Sequence, residues 1–146
     1  MNTRRGVLIA GACLMGMALI ATVWAQAAAA PWVAPARQVR KVNPVASDDQ
    51  SLAAGKALYA THCLSCHGAT GVGNGPAAKA LEKNPGDLSK PKLWEQTDGE
   101  LFWKITTGNK PMPAFETLIT EEQRWQIVNY TRTLAPKPAT TTSQPK

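Results

Sequence analysis

The segment Cys63-Leu64-Ser65-Cys66-His67 decides how the rest of the chain is interpreted. Two cysteines three positions apart, followed directly by a histidine, are typical of the attachment site of a c-type haem. In a turn of helix, residues three and four apart share a face, so both sulfurs can reach the haem vinyl groups while the imidazole points at the iron. The segment therefore predicts one covalently attached haem c, bound through Cys63 and Cys66, with His67 as the proximal iron ligand.

Three other interpretations of the two cysteines are less favoured. A thioredoxin-like redox pair requires alternating strands and helices, which the sequence does not indicate. Zinc requires four ligands, and after the first thirty residues the chain offers only the histidines and cysteines of 62–67, which are too crowded for a tetrahedral site. A disulfide between cysteines three apart closes so short a loop that it adds little stability.

The distal ligand of the iron follows by elimination. Three of the four methionines lie in the first thirty residues, which leaves Met112. His62 directly precedes a haem-bound cysteine and is too constrained to reach the opposite face of the haem. Met112 lies between Pro111 and Pro113, which restrict the backbone and hold the thioether in one pose. A methionine that only fills the core is the alternative, and histidine–methionine ligation is expected to raise the haem potential.

The beginning of the chain is typical of an export signal. Arg4 and Arg5 precede an apolar run over 7–24 and an alanine-rich stretch over 25–30. Residues 1–30 therefore predict a secretory signal peptide and a periplasmic protein. An uncleaved anchor that tethers the protein to the membrane is the alternative, because the apolar run is just long enough to span a bilayer.

The rest of the chain divides into a folded centre and two flanks. Residues 31–46 contain three prolines and predict a proline-rich linker. Residues 136–146 predict a disordered tail. A single domain is expected over 47–135, a length that often needs a covalent staple or a cofactor to be stable.

The charge of the chain is mildly basic. The whole sequence carries a formal net charge of +6, and without Arg4 and Arg5 fourteen basic residues face ten acidic ones, a net charge of about +4. Such a charge can steer docking to acidic surfaces of redox partner proteins. The lysines are scattered, so the pattern does not indicate nucleic-acid binding.

Three helix starts share one pattern, a hydroxyl side chain followed three residues later by Glu or Gln, which satisfies free amides of the first turn. The first helix is expected to end near Cys63, the second at Gly108 and the third before Pro136. A short fourth helix is expected over 77–81. No stretch shows sustained alternation of apolar and polar residues, so an all-α fold is predicted. The three pairs are Ser47 with Gln50, Thr97 with Glu100, and Thr120 with Gln123.

Over about 47–135 the chain resembles the class I monohaem cytochromes c of bacteria. This resemblance implies the cytochrome c fold, with three main helices and short helices and loops wrapped around one haem. It implies that the first and last helices cross where Gly55 lets the backbones approach, with Tyr59 and Tyr130 packed nearby. It also implies that the carbonyl of Pro76 accepts a hydrogen bond from His67. Besides the haem segment and the proline-flanked methionine, the resemblance rests on Gly55-Lys56-Ala57-Leu58-Tyr59, Gly71-Val72-Gly73-Asn74-Gly75-Pro76 and Trp125-Gln126-Ile127-Val128-Asn129-Tyr130.

The surroundings of the haem are expected to be apolar. Trp103 and Trp125 are expected to be partly buried scaffold. Trp94 lies in a loop comparable to a loop of some relatives in which an aromatic side chain donates a hydrogen bond to a haem propionate. A packing role is nevertheless favoured for Trp94. The expected lining of the pocket is Leu101, Ile105, Leu118 and Ile127.

With protein atoms at both axial positions, the iron has no open site for a substrate, which predicts an electron carrier and not an enzyme. The favoured function is a periplasmic carrier whose haem alternates between Fe(III) and Fe(II). The second is a haem c subunit of a larger respiratory oxidase or dehydrogenase complex. The third is a ligand-binding haem sensor or a peroxidase-like site in which Met112 is displaced.

Overall fold

The computed structural model describes residues 31–136, so the predicted signal peptide and most of the predicted tail lie outside the described residues. Within that range the only strand-like pairing is an isolated bridge between Asn109 and Met112. The prediction of an all-α fold is therefore confirmed. The α-helices are α1 (Ala36–Val39), α2 (Asp49–His62), α3 (Leu64–His67), α4 (Asp98–Thr107) and α5 (Glu121–Leu134), and the 3₁₀ helices are Ala78–Ala80 and Pro91–Glu95.

The starts of α4 and α5 are fixed by the capping boxes that the sequence predicts. The hydroxyl of Thr97 accepts from the amide of Glu100 at 3.2 Å, and the Glu100 carboxylate accepts from the Thr97 amide at 2.7 Å. Thr120 and Gln123 form the same pair of bonds, at 3.2 and 2.8 Å. These reciprocal bonds use amides that the first helical turn leaves unpaired.

The start predicted at Ser47 for the first helix is wrong by one residue. Asp48 is the N-cap of α2, and its carboxylate accepts from the amide of Ser51 at 2.8 Å. A carboxylate caps a helix as well as a hydroxyl does, and its negative charge also interacts favourably with the helix dipole. The helix expected over 77–81 is a single 3₁₀ turn, Ala78–Ala80.

Helices α2 and α5 cross in close contact, as the resemblance implies. A Cβ on Gly55 would lie 2.1 Å from the carbonyl oxygen of Gln126 and 2.9 Å from Cβ of Tyr130. The Tyr59 ring packs on Tyr130 with centroids 5.3 Å apart, and its hydroxyl donates to the carbonyl of Gly68 at 2.8 Å. This crossing holds the end of α2, and with it the haem-attachment segment, against α5.

The core lies where α4 packs on α5. Phe102 and Trp125 stack with ring centroids 3.9 Å apart. Trp125, Ile127 and Val128 are fully buried, so Trp125 is more deeply buried than expected, whereas Trp103 is partly buried as expected. None of the helices within 31–136 is long and apolar enough to cross a membrane.

Residues 31–46, called the N-terminal segment below, differ from the predicted linker because they pack onto the helices. Gly99 on α4 lies so close to the segment that a Cβ there would be 1.9 Å from the carbonyl oxygen of Gln38. The hydroxyl of Thr97 donates to the carbonyl of Val39 at 2.8 Å. Prolines remove backbone donors, but the carbonyls of a proline-rich segment can still accept hydrogen bonds.

Asn129 fastens the end of this segment to two helices. Its side-chain amide group on α5 donates to the carbonyls of Val45 and Ala46 at 3.2 Å and to the hydroxyl of Ser51 on α2 at 2.8 Å. Its carbonyl oxygen accepts from the side chain of Asn43 at 2.7 Å. Asn129 is buried, and these partners satisfy its polar atoms.

Candidate haem site

The haem-attachment segment forms a helical turn that directly follows α2. The amides of Cys66 and His67 both donate to the carbonyl of Cys63, at 3.1 and 2.9 Å. The glycine-rich loop, residues 71–76, then folds back on this turn, and the Gly75 amide donates to the Cys66 carbonyl at 3.1 Å. A Cβ on Gly75 would lie 2.4 Å from the carbonyl oxygen of Ser65, so the close return of the loop requires glycine there.

Two cavities that share several lining residues open onto this turn. They enclose about 610 and 690 Å³ of empty space, which includes space open to solvent. Cys63, His67 and Met112 line both cavities, and Cys66 lines the first. The structure thus brings together the two predicted attachment cysteines and the two predicted axial ligands.

The imidazole of His67 lacks the hydrogen bond that the resemblance implies. Its Nδ1 is buried and has no hydrogen-bond partner among the described residues, so the bond to the Pro76 carbonyl is not formed. Pro76 is exposed, and the next amide, that of Ala77, donates to the Ser65 carbonyl at 2.8 Å, which fixes the loop in this position. Burial lowers the pKa of His67, with the backbone of Gly86 opposing the shift. A lowered pKa favours the neutral imidazole, which is the form that binds a metal.

The two thiols do not fit the chemistry of a redox pair or a zinc site. Burial raises the pKa of Cys63 to about 12, and the neighbouring Cys66 adds to the shift. Thioredoxin-like cysteines act as thiolates, which requires a lowered pKa. No group of three or more metal-binding side chains occurs within 31–136, and the two sulfurs form no disulfide. An apolar cleft with a neutral imidazole fits a haem better than it fits any of these alternatives.

The loop that carries Met112 is fixed by its own backbone. Gly108 ends α4 with a φ of +62°, and a Cβ there would meet the Pro113 carbonyl at 2.5 Å. The amide of Asn109 donates to the carbonyl of Met112 at 3.0 Å, and the Met112 amide donates back at 3.0 Å. The Met112 backbone is therefore held in one place while its side chain lines the cavities.

The apolar lining agrees with the expectation except at one residue. Leu101, Ile105 and Ile127 line the second cavity. Leu118, also expected there, is 60% exposed, because Phe115 three residues earlier takes the buried position and lines the first cavity.

One tryptophan packs as the sequence analysis favours, and another has a role that the sequence does not indicate. Trp94 donates its indole N–H to the carbonyl of Ala135 at 3.2 Å, so it packs against the end of α5 and lines neither cavity. Trp32, in the N-terminal segment, lines both cavities. No local pattern marks Trp32, because it reaches the cleft only through the packing of a segment whose prolines indicate a linker.

Comparison with known proteins identifies a family match and a related structure. A family model described as cytochrome c oxidase, cbb3-type, subunit III matches residues 50–130, more than half of the chain. Among solved structures, a chain of the reducing HAO-like protein complex of Kuenenia stuttgartiensis is similar, with 27% identity and a TM-score of 0.57. The similarity covers 64% of this chain and 47% of that one, so this chain spans about half the length of that protein. No curated protein matches the chain.

Proposed function

Because the chain belongs to the cytochrome c family represented by the cbb3-type oxidase subunit III model, we propose that it is a periplasmic electron carrier whose haem iron is bound by His67 and Met112. Membership of this family means that the chain carries covalently bound haem c and serves electron transfer, as a carrier and not as an enzyme. One observation above all supports the choice of axial ligands. His67 and Met112 come from separate segments of the chain and line the same two cavities.

The haem supplies a one-electron Fe(III)/Fe(II) couple. The protein's own residues hold and isolate it. Thioether bonds from Cys63 and Cys66 would prevent its loss. The imidazole of His67, whose pKa is lowered by burial, would offer the iron a neutral nitrogen. Met112, whose backbone is held by paired bonds to Asn109, would supply the second ligand and leave no position for a substrate.

The axial ligation is tested with the Met112→Ala variant. We expect the wild-type Fe(III) protein to show the near-infrared charge-transfer band of methionine bound to iron, and its Fe(II) form not to bind carbon monoxide. The variant should lose the band, bind carbon monoxide and have a lower reduction potential, because thioether ligation raises the potential.

Leu81→Ala is the matched control, because Leu81 lines the first cavity without a ligand atom. It should keep the band and remain closed to carbon monoxide. Carbon monoxide binding by the folded wild-type protein would contradict the proposal and favour the sensor or peroxidase-like site.

A second candidate function is a haem c subunit of a larger oxidoreductase complex. It is favoured by the description of the matching family as an oxidase subunit and by the origin of the similar structure in a protein complex. Size-exclusion chromatography of native extract with detection of the haem separates the two functions. Elution as a lone monomer would contradict the function as a subunit. Co-elution with a larger enzyme, in an association that survives purification, would support that function.

The periplasmic location rests on the export pattern of residues 1–30. The intact mass of the protein purified from its native host measures both the cleavage point and the attached haem. We expect the mass of a chain cleaved near the alanine-rich stretch plus one haem. The mass of the full chain in the membrane fraction would instead support the anchor.

A further inference from the structure

Lys104 on α4 is a partly buried cation that lines the second cavity. None of the salt bridges among the described residues includes it. Its ammonium donates to the side-chain oxygen of Gln96 and lies 5.2 Å from the centre of the Trp32 ring. Burial lowers the pKa of Lys104, with Glu100 opposing the shift. A desolvated ammonium of this kind is stabilised when it meets an anion.

Besides Lys104, the second cavity offers an anion the indole N–H of Trp32, which has no hydrogen-bond partner among the described residues, whereas the two hydroxyl groups of the cavity are already used. The hydroxyl of Tyr59 already donates to the carbonyl of Gly68, and the hydroxyl of Thr131 donates to the carbonyl of Ile127 at 2.7 Å. An ammonium has three N–H donors, and Lys104 uses one of them on Gln96. The remaining N–H donors of Lys104 are therefore free to bind an anion in this cavity.

A haem held in this cleft would bring suitable anions, its carboxylates. Its vinyl groups, which receive the cysteine sulfurs, lie on one side of the ring, and its two propionate carboxylates lie on the opposite side. Cys63, His67 and Met112 line the second cavity together with Gln96 and Lys104. A haem attached through Cys63 and bound by these two ligands would therefore share this cavity with the ammonium of Lys104.

We propose that Lys104 binds a haem propionate through a charge-assisted hydrogen bond from its ammonium, and that the ring of Trp32 shields this ion pair from water. The proposal depends on haem attachment and is independent of the identity of the distal ligand. Trp32 also packs on Trp103, with ring centroids 6.5 Å apart, and the N-terminal segment that carries it is fastened to α4 and α5. That segment thus becomes part of the haem site, as a cover over one propionate.

The charge of Lys104 is tested by replacing it and measuring the reduction potential of the holoprotein. A positive charge near the haem stabilises Fe(II). Lys104→Met should therefore lower the Fe(II)/Fe(III) ratio at a fixed ambient potential by about three- to tenfold. A tenfold change corresponds to a shift of about 59 mV in the reduction potential. Lys104→Arg, which keeps the charge, should stay within about twofold of wild type. Lys92→Met removes an exposed lysine that lines neither cavity and should have little effect, because water and salt screen its charge.

Proximity is tested by NMR of the reduced, diamagnetic protein. We expect NOEs between the ε-methylene protons of Lys104 and the propionate methylene protons. Absence of these NOEs, or a potential in Lys104→Met equal to that of Lys92→Met, would overturn the proposal. The methionine-to-iron band, recorded on the same samples, reports the axial ligand separately, so failure of the axial assignment is distinguished from failure of this one.

The covering role of Trp32 has its own test. In a Trp32→Ala background, water reaches the ion pair, so the effect of Lys104→Met on the Fe(II)/Fe(III) ratio should shrink by about half or more. Trp103→Ala, which removes the neighbouring ring and leaves Trp32 in place, is the control. An undiminished effect in the Trp32→Ala background would contradict the shielding.

Discussion

Replacing Gly55 with alanine should destabilise the domain, although alanine favours helix over glycine. In an exposed helix this change stabilises by about 1 kcal/mol. At Gly55 the added Cβ would lie 2.1 Å from the carbonyl oxygen of Gln126 and 2.8 Å from its carbonyl carbon, whereas ordinary contacts begin at 3.4 Å. Backbone atoms cannot rotate away as a side chain can, so α2 and α5 must separate by roughly 1 Å.

The size of the effect follows from these two opposing contributions. Forcing a methyl group into a packed region costs about 1–3 kcal/mol or somewhat more, and the fixed backbone of Gln126 favours the upper end. After subtraction of the helix-propensity gain, a net loss of about 2 kcal/mol in the free energy of unfolding remains. For a domain of this size, that loss lowers the melting temperature by about 8–16 °C.

The assay is guanidinium unfolding of the haem-loaded protein, followed by far-ultraviolet circular dichroism. We expect a lower midpoint with an unchanged m value, which indicates a loss of stability without a change in the unfolded state. Ala53→Gly is the control, because Ala53 is exposed on the same helix and reports propensity alone. A midpoint for Gly55→Ala at or above that of wild type would refute the close crossing of α2 and α5.

Two further predictions concern the attachment of the N-terminal segment. Asn129→Ala should lower the free energy of unfolding by about 2–4 kcal/mol, because it leaves the hydroxyl of Ser51 and two backbone carbonyls without their donor; urea unfolding that matches wild type would contradict this. Lys41 binds the carboxylate of Glu121 at 2.7 Å and lowers its pKa from the usual 4.5. The stability that this pair contributes is therefore present at neutral pH and is lost as the pH falls through the lowered pKa. Thermal melts should show Glu121→Gln less stable than wild type near neutral pH and equal to it in acid, and a difference that persists in acid would exclude this ion pair as its cause.

The parts of the fold that depend on neighbouring residues could be predicted from the sequence. Thr97 and Thr120 start helices because their cap partners lie three positions away, within one turn. The predicted helix start at Ser47 was wrong because Asp48, the next residue, is an equally good N-cap. Local sequence does not decide between two adjacent N-cap residues. The packing of the N-terminal segment was missed because it depends on Gly99 and Asn129, which are distant in sequence.

The candidate site shows the same division. The attachment cysteines and His67 occupy one turn, so their shared position follows from helical spacing. Met112 could be proposed as a ligand from composition alone, and the structure places it at the same two cavities as His67. Lys104 and Trp32 could not be predicted in this way. Lys104 lies on an amphipathic helix and Trp32 lies near prolines, and no local sequence pattern indicates that either residue lines the cleft.

The hydrogen bonds of Asn129 also determine how the protein opens. One side chain connects the N-terminal segment, α2 and α5, so none of the three can separate without breaking bonds shared with the others. Segments joined in this way exchange their amide hydrogens as a single cooperative unit. The amide of Val45 should therefore exchange with deuterium as slowly as those of the core helices, and a protease should find no early cleavage site beside it despite the nearby prolines.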